Sequence, residues 1–151
     1  MADIFTQQKR SEIMSHIRST GLRPERRLYE IVRAVLGKRW RIHQNDSGLP
    51  GTPDLVIPGL DLIIFADGCF FHGCPKHGHI PKSNRSYWRA KLDGNKRRDR
   101  RNTMRLRRLG YSVWRVWEHD LKGRAAEGTT QSLARRLRQR ISERRQLAPP
   151  R

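Results

Sequence analysis

Only one part of this chain strings together more than a few apolar residues, and it is short. Leu55-Val56-Ile57 is followed by a Pro58-Gly59 break and then by Leu60-Asp61-Leu62-Ile63-Ile64-Phe65. Short apolar runs bounded by turn residues are characteristic of strands buried on both faces, and so tight a break joins them as a hairpin. The rest of the chain must supply the layers that cover it. Leu28, Ile31, Val32, Val35 and Leu36 recur at helical spacing, with Pro24 suited to the first turn and Gly37 as the stop. Arg39 to Gln44 reads as a strand. Ser83 to Leu109 has few breakers and reads as a helix closed by Gly110, and Tyr111 to Glu118 is rich in β-branched and aromatic residues, hence a strand. Leu133, Leu137 and Ile141 form the narrow stripe of a last helix in an Arg-rich, frayed tail.

The order α, β, β, β, α, β, α predicts an α/β fold in which helices flank a small mixed sheet. At 151 residues one domain suffices. It divides into an N-terminal arm (1–20), whose Thr6 to Ser19 stretch suits a short helix, a core (21–123), and a C-terminal helix and tail (124–151).

Charge sets the class of partner. Thirty-three Lys and Arg against 14 Asp and Glu give a formal net charge of +19. Such a surface attracts polyanions and releases their counterions on binding, so nucleic acid is the expected partner. No apolar run approaches the roughly 20 residues that span a bilayer, so no membrane partner is expected. The opening residues MADIFTQQKR contain no apolar signal-peptide core, and the chain is expected to stay in a reducing cytosol. Two cysteines there read as metal ligands or free thiols rather than as a disulfide.

The chemistry concentrates between Gly51 and His79. Asp54 follows a Gly- and Pro-rich turn and begins a strand, Asp67 closes the next strand, and Glu25 opens the first core helix. Acids at strand ends beside a basic surface are suited to hold Mg²⁺ against a phosphodiester, since a hard cation needs few protein carboxylates. The plainer alternative makes them turn-formers or helix caps. Cys69, Cys74 and His77 lie in one loop with His72 and His79, and His119 ends a later strand. Zinc takes four thiolate or imidazole ligands in a closed tetrahedron, for which Cys69, Cys74, His77 and His119 are the candidates, with His79 the competitor of His77. With four ligands assigned, His72 and His79 are left over, and a leftover histidine beside an acidic metal site is a candidate proton shuttle. Phe70 and Phe71, adjacent in this loop, either roof the zinc site or act as wedges that enter a base stack; Trp88 is either a core anchor or a third wedge.

Taken together, PGTPDLV, LIIFADGCFFHGCPKHG, SYWRAK, NKRRDRR and LGYSVWRVWEHDL resemble the very-short-patch mismatch-repair endonucleases, from about Lys9 to Lys122. Those enzymes nick DNA on the 5′ side of the thymine in a T·G mismatch left by deamination of 5-methylcytosine. The resemblance implies a restriction-endonuclease-like (PD-(D/E)xK-type) core, catalytic Mg²⁺ and structural Zn²⁺. It further implies a bacterial, nucleoid-associated monomer acting on mismatched double-stranded DNA, with mismatch-repair proteins as further partners. Carried over residue by residue, it assigns the metal-binding acid to Asp54, a backbone metal ligand to Ala66, the catalytic histidine to His72 and the helix-borne acid to Glu25. It assigns the intercalating aromatics to Phe70, Phe71 and Trp88, and the zinc ligands to Cys69, Cys74, His77 and His119. Its best-known members carry Thr at Ala66, His at Asp67, Trp at Phe71 and Cys at His119; Asp67 therefore stands where a second catalytic-site histidine is usual. The rival readings are a nickase of the same fold from a defence or restriction system, and a zinc-containing DNA-binding protein that does not cut.

Overall fold

The computed structural model describes residues 23–147 together with Gln8, so the expected arm at Thr6 to Ser19 lies, apart from Gln8, outside the described residues. The elements are α1 (Pro24–Leu36), β1 (His43–Gln44), β2 (Leu55–Ile57), β3 (Leu62–Asp67), α2 (Arg85–Arg108), β4 (Ser112–Trp117) and α3 (Ala125–Leu147). Their order is the one expected. Helix α1 begins with Pro24, whose missing N–H costs nothing in a first turn, and ends at Gly37, where φ is 76°. Leu28, Val32 and Leu36, spaced i, i+4, i+8, form its buried stripe.

The sheet order is β1-β2-β3-β4, antiparallel across the first three strands and parallel between β3 and β4. It is a mixed sheet with helices on both faces. Alternation along the strands divides the side chains. Leu55, Ile57, Leu62, Ile64 and Val116 face a core completed by α1 and α3, while Val56, Ile63 and Phe65 face Leu106 of α2. Each fully buried Leu or Ile contributes on the order of 1.5–3 kcal/mol by burial, so the α1/α3 face carries most of the stabilisation.

Three boundaries differ from expectation, each for a physical reason. The strand expected over Arg39 to Gln44 shrinks to His43–Gln44, because the Trp40 carbonyl accepts a 2.7 Å bond from Arg33 Nη1 and the Trp40 side chain packs on the main core. Strand β3 starts at Leu62 rather than Leu60, since Pro58–Leu60 forms a 3₁₀ turn and Asp61 is left-handed at φ 46°. That turn sinks Leu60 fully into the core. The last helix is regular rather than frayed. Leu133 and Leu137 are buried, and Arg140 Nε donates to the Leu60 carbonyl (3.0 Å) while Arg144 pairs with Asp61 (2.8 Å).

Candidate active site and metal cluster

The ends of β2 and β3 meet helix α2 at a cleft of about 570 Å³ whose wall includes Asp54, Ala66, Asp67, His72, Asp99 and Arg115. Register explains the first contact. Leu55 pairs with Ile64, which carries Asp54, one residue earlier, alongside the end of β3, where its Oδ2 accepts the Ala66 N–H at 2.8 Å. Burial pushes the Asp54 carboxyl up from 3.8 to about 6; the Ala66 N–H opposes this, Glu25 and Asp67 add to it, and His72 opposes it. Asp67 is 4% exposed, and burial raises its carboxyl as well, against the pull of Arg115. Both Asp67 oxygens accept bonds from Arg115 Nη1, at 2.9 and 3.1 Å.

His72 is held from α2. Its Nδ1 lies 2.6 Å from Asp99 Oδ2 and 3.8 Å from Asp67 Oδ1. An ionised carboxylate can only accept, so Nδ1 carries the proton of this contact, and in the neutral imidazole that leaves the lone pair on Nε2, the tautomer a base needs. Glu25, on α1, does not line the cleft; it pairs with Arg23 at 3.3 Å and acts on Asp54 through its charge.

Beside the cleft, the structure gathers Cys69, Cys74, His77 and His119, whose ligand atoms all lie within 4.8 Å of one another. Sγ of Cys69 is 3.2 Å and Sγ of Cys74 3.5 Å from His119 Nδ1, and Cys74 Sγ is 3.9 Å from His77 Nδ1. Bond lengths of 2.0–2.3 Å give a tetrahedron with edges of about 3.5 Å, so these side chains fit a zinc ion. His119 Nε2 faces Asp120 at 3.4 Å, the outer carboxylate that turns an imidazole toward a metal. Burial raises the Cys69 thiol. Burial also acts to raise Cys74, but the backbone groups of His77, Lys76 and Gly78, together with Cys69, outweigh it and lower that thiol. The loop must close tightly: the Gly78 N–H donates to the Cys74 carbonyl at 2.7 Å, and a Cβ on Gly78 would sit 2.5 Å from that oxygen. His79 lies elsewhere, with its ring 5.5 Å from that of Phe70.

Phe71, Phe70, Trp88 and Tyr87 form an edge-to-face series with centroids 5.0, 5.3 and 5.2 Å apart. Both ends of this series are exposed, Tyr87 and Phe71, and Phe71, 50% exposed, is the one that lines the cleft. Its carbonyl accepts a 3.0 Å bond from Asn95 of α2, which fixes the loop against the helix.

The family model described as DNA mismatch endonuclease Vsr matches residues 2–77. The chain is 34% identical over 146 residues to the DNA mismatch endonuclease Vsr of Escherichia coli K12, spanning 93% of this chain and 88% of that protein. It is 41% identical over 128 residues to the type II nicking enzyme V.NmeAIP of Neisseria meningitidis serogroup A, spanning 83% and 88%. It is 38% identical over 123 residues to the type II nicking enzyme V.XorIIP of Xanthomonas oryzae pv. oryzae, spanning 80% and 88%. The chain belongs to the Vsr endonuclease family.

A Vsr-family protein is a DNA endonuclease, and DNA is accordingly its substrate. The basic composition points the same way, and no described helix is long and apolar enough to cross a membrane. The stretch matched to the Vsr model takes in Asp54, Asp67, His72 and three of the cluster ligands, and ends at His77. Sequence reasoning missed Asp99, Asn95 and Arg115. A signal existed in α2, whose inward stripe runs Leu92, Asn95, Asp99, Asn102, Leu106 at helical spacing. Three polar residues in the middle of a stripe that should be apolar mark a helix facing a site rather than a core.

Proposed function

We propose that this Vsr-family endonuclease nicks one strand of duplex DNA on the 5′ side of the T in a T·G mismatch, in very-short-patch repair, on a restriction-endonuclease-like core. The reading is carried by one juxtaposition: Asp54, the Asp99-bonded His72 and the exposed Phe71 line one cleft in a strongly basic protein. Asp54 and the Ala66 carbonyl would hold Mg²⁺, which when bound neutralises charge developing on the scissile phosphate. His72 would take the proton of the attacking water at Nε2, because Asp99 occupies Nδ1 and stabilises the imidazolium that forms. Asp67 and Glu25 shape the field around Asp54. Phe71, backed by Phe70 and Trp88, would enter the base stack, where a mismatched step costs less to open. Cys69, Cys74, His77 and His119 would hold a structural Zn²⁺ that ties the loop carrying Phe70, Phe71 and His72 to the end of β4.

A second reading, a nickase of a defence or restriction system without a mismatch requirement, is favoured by relatives named as type II nicking enzymes, among them those of Neisseria meningitidis and Xanthomonas oryzae. One experiment separates the two. The protein is incubated with Mg²⁺ and duplexes differing in a single base pair, and the products are resolved by strand. Cutting confined to the T strand of T·G duplexes supports mismatch repair. Equal cutting of paired duplexes supports the second reading, and binding without cutting overturns both.

A further inference from the structure

The roles above leave one central group of the cleft unexplained, the Arg115 guanidinium. It leaves β4 with its plane over the Phe65 ring, 4.2 Å from the centroid, and reaches two elements at once. Nη1 donates to both oxygens of Asp67 on β3. Nη2 donates to Thr103 Oγ1 at 3.0 Å and to the Asp99 carbonyl at 3.4 Å, and Nε donates to Thr103 Oγ1 at 3.3 Å, all on α2. Asp99 thus accepts from Arg115 with its carbonyl and from His72 with its carboxylate.

Two carboxylates compete for one imidazole N–H. Asp99 Oδ2 is 2.6 Å from His72 Nδ1, and Asp67 Oδ1 is 3.8 Å from it. Arg115 occupies both Asp67 oxygens and anchors the turn of α2 that presents Asp99. One guanidinium nitrogen serves Asp67 and the other two serve α2, and because the guanidinium is a rigid plane it settles both positions together. A purely stabilising strut is the simpler alternative, but buried ion pairs are often no more stable than apolar residues of similar volume. Stability alone therefore gives little reason to spend an Asp and an Arg in the wall of the cleft.

We infer that Arg115 is a positioning residue: by engaging Asp67 and bracing Thr103 and the Asp99 backbone, it directs the His72 Nδ1–H to Asp99 and so aims Nε2 into the cleft. The inference rests on the nicking role of His72, but its geometric part can be tested without any cutting. In proton NMR of the metal-replete protein, a short imidazole N–H to carboxylate bond gives a strongly downfield resonance, identified by its loss in His72→Asn. Arg115→Met should shift or broaden that resonance while lowering kcat about 10- to 100-fold, with KM for the duplex nearly unchanged. Thr103→Val, which removes one arm of the brace, should act in the same direction more weakly. Arg115→Met combined with Asp67→Leu removes the competing carboxylate and leaves an apolar pair, so the resonance should return toward its original position. The double variant and Thr103→Val also carry the test if Arg115→Met alone does not fold. An unchanged resonance in both Arg115→Met and Thr103→Val, with only a lower melting temperature, would overturn the inference and leave Arg115 a strut. A wild-type protein that nicks no duplex would instead sink the functional reading, while the resonance comparison would still decide the geometry.

Discussion

Asp54→Asn should make the magnesium-free protein more stable while abolishing nicking. Asn is nearly isosteric, and its side-chain oxygen can still accept the Ala66 N–H that Asp54 Oδ2 takes at 2.8 Å. What it removes is a charge the fold holds at a cost, since burial lifts the carboxyl from 3.8 to about 6. At 1.36 kcal/mol per pH unit, ionising it in the folded protein costs about 3 kcal/mol at neutral pH. Water and salt reaching an open cleft reduce this to about 1–3 kcal/mol. The sign follows from linkage. A folded carboxyl with a raised pKa binds its proton more tightly than the unfolded one, so its contribution to stability falls as pH rises from 3.8 through about 6 and is constant above that. The Asn advantage should accordingly be absent near pH 3.8 and complete above about 6. In a domain of this size it should appear as a rise in Tm of roughly 3–8 °C.

Scanning calorimetry at several pH values, in magnesium-free buffer with zinc retained, reads this directly. Adding Mg²⁺ should raise the Tm of the wild type and leave that of the variant unmoved, because a cation at Asp54 relieves the same charge. Two results would refute the reasoning. An Asn variant no more stable than wild type at neutral pH would mean that the carboxylate carries no folding cost. An equal gain at acid pH would mean that the gain does not come from ionisation. Full-rate nicking by the folded variant would remove Asp54 from the mechanism.

Three further outcomes are expected. Cys69→Ser or His119→Ala should lose the one zinc per chain that elemental analysis should find in the wild type, lower Tm, and leave activity that added Mg²⁺ does not restore; an active wild type without zinc would end the structural-zinc assignment. His72→Asn should lose most nicking yet keep its zinc, because the structure pairs His72 with Asp99 and not with the cysteines; zinc loss in that variant would make His72 a ligand. Phe71→Ala, at a half-exposed position, should change stability by less than about 1 kcal/mol and reduce the preference for mismatched over paired duplex more than it reduces affinity. Equal losses on both duplexes would argue against the wedge.

What the sequence made legible divides along the two faces of the sheet. Strands buried on both sides leave an uninterrupted apolar record, so β2 and β3 could be located before any coordinates, and the Cys/His cluster announced itself by its concentration. The α1 stripe of Leu28, Val32 and Leu36 was equally plain. The partners Asp99 and Arg115 were not, because their meaning arises only on folding: 27 residues separate His72 from Asp99, and 48 separate Asp67 from Arg115. In a run as basic as NKRRDRR, a single Asp reads as surface charge. The late start of β1 is a more local case, since the Arg33–Trp40 bond joins α1 to the segment just after it.

That division also accounts for where the chemistry lies. The main core joins residues of α1, α3 and one sheet face, whereas on the opposite face the buried cluster among the described residues is Val56, Ile63 and Phe65 with Leu106 of α2, flanked by half-buried Leu49, Tyr111 and Val113. Between Leu92 and Leu106 the helix gives up apolar packing for Asn95, Asp99 and Asn102, and there the cleft opens. A face stabilised in that way could not be spared if it were the only one. Because α1 and α3 already bury the other side, the cleft between the sheet ends and α2 can hold the raised carboxyls of Asp54 and Asp67, the Asp67–Arg115 pair and an oriented histidine at a local cost that the rest of the domain offsets.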